Sequence, residues 1–325
     1  MMNNLLITGA NGFLGKAVVP EFRKNSYSYD SIQTFRSSDY DLRDPEAIKD
    51  LLSEKKPSVI VHLAASVGGI GANLKYPGTF FYENLIMGSQ LIECARLYGV
   101  RKFVLIGTIC SYPKFTPVPF KEKDLWQGYP EETNAPYGIA KKALMVQLEA
   151  YRKQYGFQGI SLLPVNLYGP QDNFDLESSH VIPAMMRKMH AAKEKGDATV
   201  ELWGDGSPSR EFLYVDDAAR AIRLATEHYN SADAVNIGSG SEVSMKKLSE
   251  MIKHTVGYEG DIIWNVNKPN GQPRRCLDVT RAKQFGFTSN ITLPMGLDLT
   301  YSWFRDNYSE IHSKELTNSL SVQNN

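Results

Sequence analysis

Cysteine is scarce in this chain: three residues in 325, Cys94, Cys110 and Cys276, with no CxxC spacing among them. That excludes a disulfide framework and leaves no zinc-type ligand set, so no metal is expected and a reducing cytoplasm is the default compartment. An excess of either charge is also missing, because 36 basic residues balance 36 acidic ones. No overall field gathers nucleic acid or an anionic membrane, although a local cluster can still hold a phosphorylated small molecule. No apolar run approaches the roughly 20 residues that span a bilayer. The opening MMNNLLITGANGF lacks a basic stretch leading into a long apolar one, so no signal peptide is expected. Internal repeats are absent. What remains is an ordinary globular composition, 42% hydrophobic and 22% charged, long enough for one large domain or two moderate ones.

The first half alternates short apolar runs with longer amphipathic ones. Strands are predicted at Leu5–Thr8, Ile32–Phe35, Val59–Ala64, Phe103–Ile106 and Ile160–Val165. Helices are predicted at Phe13–Lys24, Pro45–Glu54, Tyr82–Tyr98 and Tyr137–Tyr155. Strands separated by helices imply βαβ crossovers, hence an α/β fold with a Rossmann-type, doubly wound parallel sheet. After Tyr168-Gly169-Pro170 the rhythm loosens into helices near Val181–Glu194, Ala218–His228 and Lys246–Val256, with two short strands in TVELWGDGSPSREFLYVDD. This divides the chain into a dinucleotide-binding domain at 1–170, with 211–240 expected to return to it, and a smaller, irregular substrate lobe at 171–308. From Ser309 the sequence is polar and aperiodic, which predicts a disordered tail over 309–325.

The stretch LLITGANGFLGKAVV sets Gly9, Gly12 and Gly15 between the first strand and the first helix. Glycine there permits the tight turn, the close approach of a pyrophosphate to the backbone, and close helix–strand packing. The helix N-terminus offers free N–H groups and the positive end of its dipole to phosphate. Asn11, Phe13 and Leu14 belong to the same cradle, and Ala64 at the end of the third strand completes it. The second strand ends in Arg36-Ser37-Ser38, with no acid before Asp39. A carboxylate at that tip would bind a ribose 2′-hydroxyl, whereas an arginine accommodates a 2′-phosphate, so NADP(H) is favoured over NAD(H). Asp41 and Leu42 are expected near the adenine.

Tyr137 and Lys141 stand four residues apart on one predicted helix, opened by Pro136 and closed by Gly156. An ammonium beside a phenol is expected to lower the tyrosine pKa and ease proton transfer. Taken alone, such a pair is usually a solvated face. Its coincidence with the glycine loop and with Thr108, at the end of the strand Phe103–Ile106, changes that weighting. Likewise a lone Cys after a strand is usually a small buried hydrophobe, and a lone His beside Val and Ile is usually a structural residue.

Together, Gly9/Gly12/Gly15, Thr108 and the Tyr137–Lys141 pair resemble the extended short-chain dehydrogenase/reductases that modify sugar nucleotides. GTICSYPKF, PYGIAKK, NLYGPQDNF, SSHVIPAMMRK, WGDGSPSREFLYVDDAA and KPNGQPRRCLDVTR narrow the resemblance to the branch that epimerises GDP-4-keto-6-deoxy-D-mannose at C3 and C5 and reduces it at C4 with NADPH. The family usually has Ser where this chain has Thr108, and its glycine loop differs around Asn11-Gly12-Phe13. The resemblance implies a GDP-sugar substrate and gives Cys110 and His180 the proton transfers at C3 and C5. It gives Thr108 and Tyr137 the polarisation of the C4 ketone, and it sets Lys141 and His180 against the cofactor. Arg210 and Arg274, or its neighbour Arg275, are candidates for the diphosphate, with Lys188 assisting and Trp203 packing against the sugar nucleotide.

Competing readings remain. A UDP-hexose 4-epimerase would share the scaffold and retain NAD, and a 4,6-dehydratase would show Asp-Glu where Ile109-Cys110 stands. A related enzyme acting on a GDP-heptose, or a noncatalytic dinucleotide sensor, would also carry the glycine loop. Related reductases pair their two long helices between subunits, so a homodimer is expected by analogy.

Overall fold

The computed structural model describes residues 3–25, 28–176, 178–268 and 270–322. Its strands are β1 (Asn4–Thr8), β2 (Ser31–Thr34), β3 (Val59–His62), β4 (Lys102–Ile106), β5 (Gln158–Pro164), β6 (Asn166–Tyr168), β7 (Thr199–Trp203), β8 (Ser209–Tyr214), β9 (Val235–Ile237), β10 (Glu242–Ser244), β11 (Asp261–Asn265) and β12 (Arg274–Arg275). Its helices are α1 (Phe13–Lys24), α2 (Pro45–Lys55), α3 (Ile70–Lys75), α4 (Pro77–Leu97), α5 (Ala135–Tyr155), α6 (Val181–Lys195), α7 (Val215–His228), α8 (Met245–Val256), α9 (Thr280–Lys283) and α10 (Leu293–Val322).

Six parallel strands form the main sheet in the order β2-β1-β3-β4-β5-β9. Every residue of β1, β3 and β4 is buried, as a sheet covered by helices on both faces requires. On one side α4 packs against α2 and α5, and on the other α1 packs against α7. The strand order reverses direction between β1 and β3. In open α/β sheets the crevice at such a switch point, beyond the carboxyl ends of the strands, is where ligands bind.

A second lobe carries a sheet in the order β10-β8-β12, with β6 also paired to β8, and a two-stranded β7–β11 ribbon. Its own core gathers Phe174, Met186, Met189, Leu248 and Phe304 from the loop before α6 and from α6, α8 and α10.

Several boundaries differ from the sequence expectation. The chain enters the second lobe at β6, before residue 170. It returns later than 211, because β8 belongs to the second sheet; α7 and β9 rejoin the main body, and Leu277, Ala282, Phe285 and Phe287 pack into its core as well. The reason lies in Glu211: its buried carboxylate accepts the Leu277 and Gly240 N–H groups at 2.6 Å each, tying β8 to the substrate-side segments. Helix α4 starts at Pro77 rather than Tyr82, since proline is well placed in a first turn. The expected disordered tail is helical as far as Val322 in α10, while 323–325 lie outside the described residues. Leu297, Tyr301 and Phe304 bury one stripe of that helix. Once a helix is nucleated by packing, further turns add at little cost even in polar sequence.

Candidate active site

At the switch point, β1 ends in Thr8 and the chain turns through Gly9 at φ +66°. A Cβ on Gly9 would lie 2.7 Å from the backbone nitrogen of Ala64, and one on Gly15 would lie 2.2 Å from the Gly9 carbonyl. The loop is therefore closed by three backbone segments that only glycine lets touch. Thr8 fastens the seam, its Oγ1 accepting the Ala64 N–H at 3.1 Å and standing 3.0 Å from Nδ1 of buried His62. Burial, and the charge of Lys141, hold His62 down to about 3, so it stays neutral. Helix α1 begins at Gly12 with no side-chain cap and no acid in its first turn. Its N–H groups at Phe13, Leu14 and Gly15 are thus available to a phosphate, while Asn11 is exposed at the rim. This cradle fits a dinucleotide pyrophosphate.

Beyond β2, Arg36 is exposed, and among the described residues its guanidinium makes no ion pair or side-chain hydrogen bond. The nearest acid, Asp39, is turned inward to accept the Arg36 backbone N–H at 3.0 Å. Asp41 is occupied by Arg43, which also pairs with Glu83 and holds the Asp41 carboxyl below its ordinary range. Leu42 is buried in the main core. The tip therefore offers one uncommitted cation and no free carboxylate.

At the end of β4, Thr108 Oγ1 accepts the Cys110 N–H at 3.1 Å and closes the 3₁₀ turn Ile109–Ser111. Because the oxygen accepts, the hydroxyl proton is left to donate to a ligand. The turn rests directly on α5: a Cβ on Gly138 would come 2.5 Å from the Cys110 carbonyl, and Ser111 Oγ donates to the Gly138 carbonyl at 3.1 Å. Gly138 is the glycine of PYGIAKK, and it brings Cys110 up beside its neighbour Tyr137.

The expected effect of Lys141 on Tyr137 is not what the site shows. Burial, then the neighbouring Cys110, raises the Tyr137 pKa. One helical turn sets the Lys141 Nζ 5.9 Å from the centre of the phenol ring, over its face rather than at its hydroxyl. Lys141 is itself buried, and that burial pushes it down to about 8. Tyr137 is accordingly held as an O–H, the form a proton donor needs.

His180 is the N-cap of α6 and makes no capping bond with its side chain. It is open to solvent on one side, but the surrounding protein desolvates it enough to hold the imidazole below the ordinary histidine pKa. The loop that carries it is clasped to the main domain, with the Gly69 N–H donating to the Ser178 carbonyl at 2.9 Å.

The tandem arginines separate as alternate residues of a strand must. Arg274 pairs with Glu242, Nε to Oε1 at 3.0 Å, and is exposed. Arg275 is buried, opposite Arg210 in the β8–β12 register. Its Nη1 donates to Cys110 Sγ at 3.7 Å and its Nε to Gln272 Oε1 at 2.7 Å. Burial and the neighbouring Arg275 push Arg210 down to about 10, with Cys110 and Glu131 acting the other way. Cys110, Tyr137, Arg210 and Arg275 thus face one space, and Arg275 is the residue that reasoning from sequence undervalued. Strand parity was the available signal. Lys188 and Trp203 stand apart from them. Lys188 Nζ donates to the Glu201 carbonyl at 3.2 Å, and exposed Trp203, at the end of β7, carries Lys268 5.3 Å above its ring.

Residues 5–238 match the NAD dependent epimerase/dehydratase family, and the chain belongs to that family. A curated relative, the probable GDP-L-fucose synthase 1 of Oryza sativa subsp. japonica, is 40% identical over 304 residues, covering 93% of this chain and 92% of its own. Among solved structures, the GDP-L-fucose synthetase of Naegleria fowleri bound to NADP aligns with TM-score 0.86 at 28% identity, over 94% of this chain and 95% of its own. A GDP-6-OMe-4-keto-L-xylo-heptose reductase from C. jejuni aligns with TM-score 0.88 at 28% identity, over 94% and 98%.

Proposed function

We propose that this protein is an NADPH-dependent enzyme that epimerises GDP-4-keto-6-deoxy-D-mannose at C3 and C5 and reduces it at C4, yielding GDP-L-fucose. The observation that carries the reading is the half-buried thiol of Cys110 beside Tyr137 in one cleft. A ketone reductase needs a proton donor there, but it has no use for a thiol.

NADP would be held by Gly9, Asn11, Gly12, Phe13, Leu14 and Gly15 at its pyrophosphate, and by Arg36 at the 2′-phosphate, with Asp41, Leu42 and Ala64 bordering it. When bound, NADPH supplies the hydride for C4. The C4 carbonyl acidifies the protons at C3 and C5, so each can be removed and returned from the other face. Cys110 and His180 perform those transfers, a thiol and an imidazole being suited to proton exchange near neutral pH. Thr108 and Tyr137 donate hydrogen bonds to the C4 oxygen while it carries negative charge. Tyr137 then gives that oxygen its proton during reduction. Lys141 would border the cofactor, and it keeps positive charge by the face of the phenol. Arg210 meets the diphosphate; Lys188, held by the Glu201 carbonyl, and Trp203, under Lys268, lie outside that cluster and take part only if the nucleotide reaches them. Arg274 remains a rim contact only if Glu242 releases it.

The exposed apolar residues Phe81, Tyr82 and Leu97 on α4, with Val146 and Tyr155 on α5, support a homodimer through those helices. Three free thiols suit a reducing cytoplasm. Among the described residues no helix is long and apolar enough to cross a membrane, and the balanced charge favours neither nucleic acid nor a lipid surface as partner.

Incubation with NADPH and GDP-4-keto-6-deoxy-D-mannose tests the function, with the product read by NMR. GDP-L-fucose supports the reading. A reduced but unepimerised sugar, or turnover only with a GDP-heptose, overturns it.

A further inference from the structure

Arg275 is the only cation whose hydrogen bond reaches the Cys110 sulfur among the described residues, and it is fixed there rather than free to swing. Its Nε is anchored on Gln272, and Gln272 Nε2 in turn donates to the Lys114 carbonyl at 2.6 Å. That network leaves Nη1 aimed at Sγ at 3.7 Å. The partner across the strand, Arg210, spends one Nη on its neighbour Ser209, so the two guanidiniums lie side by side with different commitments. Two buried cations in adjacent strands repel, and the arrangement is favourable only when negative charge stands against them. That charge has two candidate carriers, Glu131 and the thiol. Glu131, a carboxylate held by Thr133 Oγ1 and Asn134 Nδ2 at 2.6 Å each, offsets one of the two cations and leaves the other to the sulfur. Among the described residues the sulfur is not engaged by any other side chain. The remaining titratable group facing it is Tyr137, which is held neutral.

We propose that Arg275 is the positioning residue of Cys110: its fixed guanidinium aims the sulfur into the cleft and stands against the negative charge the sulfur takes on when it gives up its proton, while Arg210 is left for the substrate's phosphates. This deepens the function proposed above and rests on the placement of Cys110 in that site. A thiolate, not a thiol, accepts a proton or attacks an electrophile, so the same pairing governs both base strength and chemical reactivity. Reactivity can be read without substrate or cofactor.

The test alkylates the full-length protein with iodoacetamide at pH 7 and follows the Cys110 peptide by mass spectrometry. The buried Cys94 and Cys276 serve as internal controls. Removing a unit charge about 4 Å from the sulfur should disfavour negative charge on it by roughly tenfold at intermediate solvent screening. Arg275→Gln is therefore expected to slow Cys110 labelling by about tenfold at an unchanged melting temperature. Arg275→Lys should recover most of the rate, because it restores the charge without the fork. Equal labelling rates in wild type and Arg275→Gln overturn the proposal. So does equal slowing in Arg275→Gln and Arg275→Lys, which would mean the arginine only packs. If Arg275→Gln unfolds, labelling of Gln272→Ala, which frees Nε but keeps the charge, decides: an intermediate loss supports the pairing and an unchanged rate overturns it. Failure of the parent reading shows elsewhere, as wild-type proton exchange at C3 and C5 in Cys110→Ser, and leaves the alkylation comparison intact.

Discussion

Gly15→Ala is the perturbation whose consequence the backbone geometry sets most tightly. The added Cβ would lie 2.2 Å from the Gly9 carbonyl oxygen, 2.6 Å from Ala10 Cα and 2.7 Å from the Ala10 carbonyl carbon. All three are backbone atoms, so no rotamer change relieves the overlap. The nearest contact is short by roughly 1 Å, and the start of α1 must move away from the end of β1 by about that amount. Overpacking of this kind costs about 1–3 kcal/mol of stability. It also pulls the free N–H groups off the pyrophosphate. Each charged hydrogen bond lost is worth about 1.5–3 kcal/mol, so the NADPH Kd should rise roughly 10- to 100-fold. Gly12→Ala is the built-in comparison. Its Cβ meets only the Gly9 oxygen, at 3.3 Å, and Gly12 has an ordinary φ of −74°. The helix can stay in place there, but the methyl intrudes where the phosphates approach. NADPH titration by fluorescence and thermal melting of both variants separates the two effects. Gly15→Ala should lose several degrees and bind weakly, whereas Gly12→Ala should bind weakly at a wild-type melting temperature. Wild-type melting and NADPH affinity in Gly15→Ala would refute the reasoning.

Arg36→Ala should weaken NADPH much more than NADH, because it removes a cation at the tip that is uncommitted among the described residues; equal losses for both cofactors in steady-state kinetics count against it. Tyr137→Phe removes the proton donor and keeps the ring, so reduction should fall by a factor of about 10²–10⁴ in single-turnover NADPH oxidation. Lys141 is pushed down to about 8, so its ammonium is lost as pH rises through that value. The reductive rate of the saturated enzyme should decline above pH 8, and a flat profile to pH 9.5 would deny Lys141 a charged role. Asp172 is buried, with Oδ2 unpaired, and burial pushes it up to about 7. Its folded pKa exceeds the unfolded one, so the fold favours the protonated acid. Stability should fall as pH rises from about 4 through 7, and Asp172→Asn should gain a few kcal/mol at pH 8 while losing that pH dependence in urea melts.

How much of this was readable in the sequence depends on whether local chemistry or long-range pairing decides each feature. Helix α1 begins and ends as Gly12 and the apolar spacing of Val18, Val19 and Phe22 dictate. Helix α5 stops at Gly156 with φ +69°, the left-handed conformation glycine adopts freely. Strand membership is different. β7 and β8 follow each other closely, yet they pair with β11 and with β6, β10 and β12, partners that no local signal names. Helix α10 was missed because its continuation rests on the buried Tyr301 and Phe304 rather than on the composition of its last turns. In the site, the glycine loop, Thr108 and the Tyr137–Lys141 spacing were legible because each needs a fixed local geometry. Which of Arg274 and Arg275 turns inward was settled by the register of β12 against β8. The direction of the Tyr137 shift was settled by desolvation, which spacing along a helix does not reveal.

Deuterium incorporation tests the central claim, that one cleft performs proton exchange and reduction with different groups. Wild type and Cys110→Ser are each incubated with GDP-4-keto-6-deoxy-D-mannose and NADP in deuterated water, where no hydride is available, and C3 and C5 are followed by NMR. The account predicts exchange at both carbons in wild type and at least a tenfold loss in Cys110→Ser, while the variant still oxidises NADPH when it is supplied. Wild-type exchange in Cys110→Ser would contradict it and reduce the thiol to a packing group.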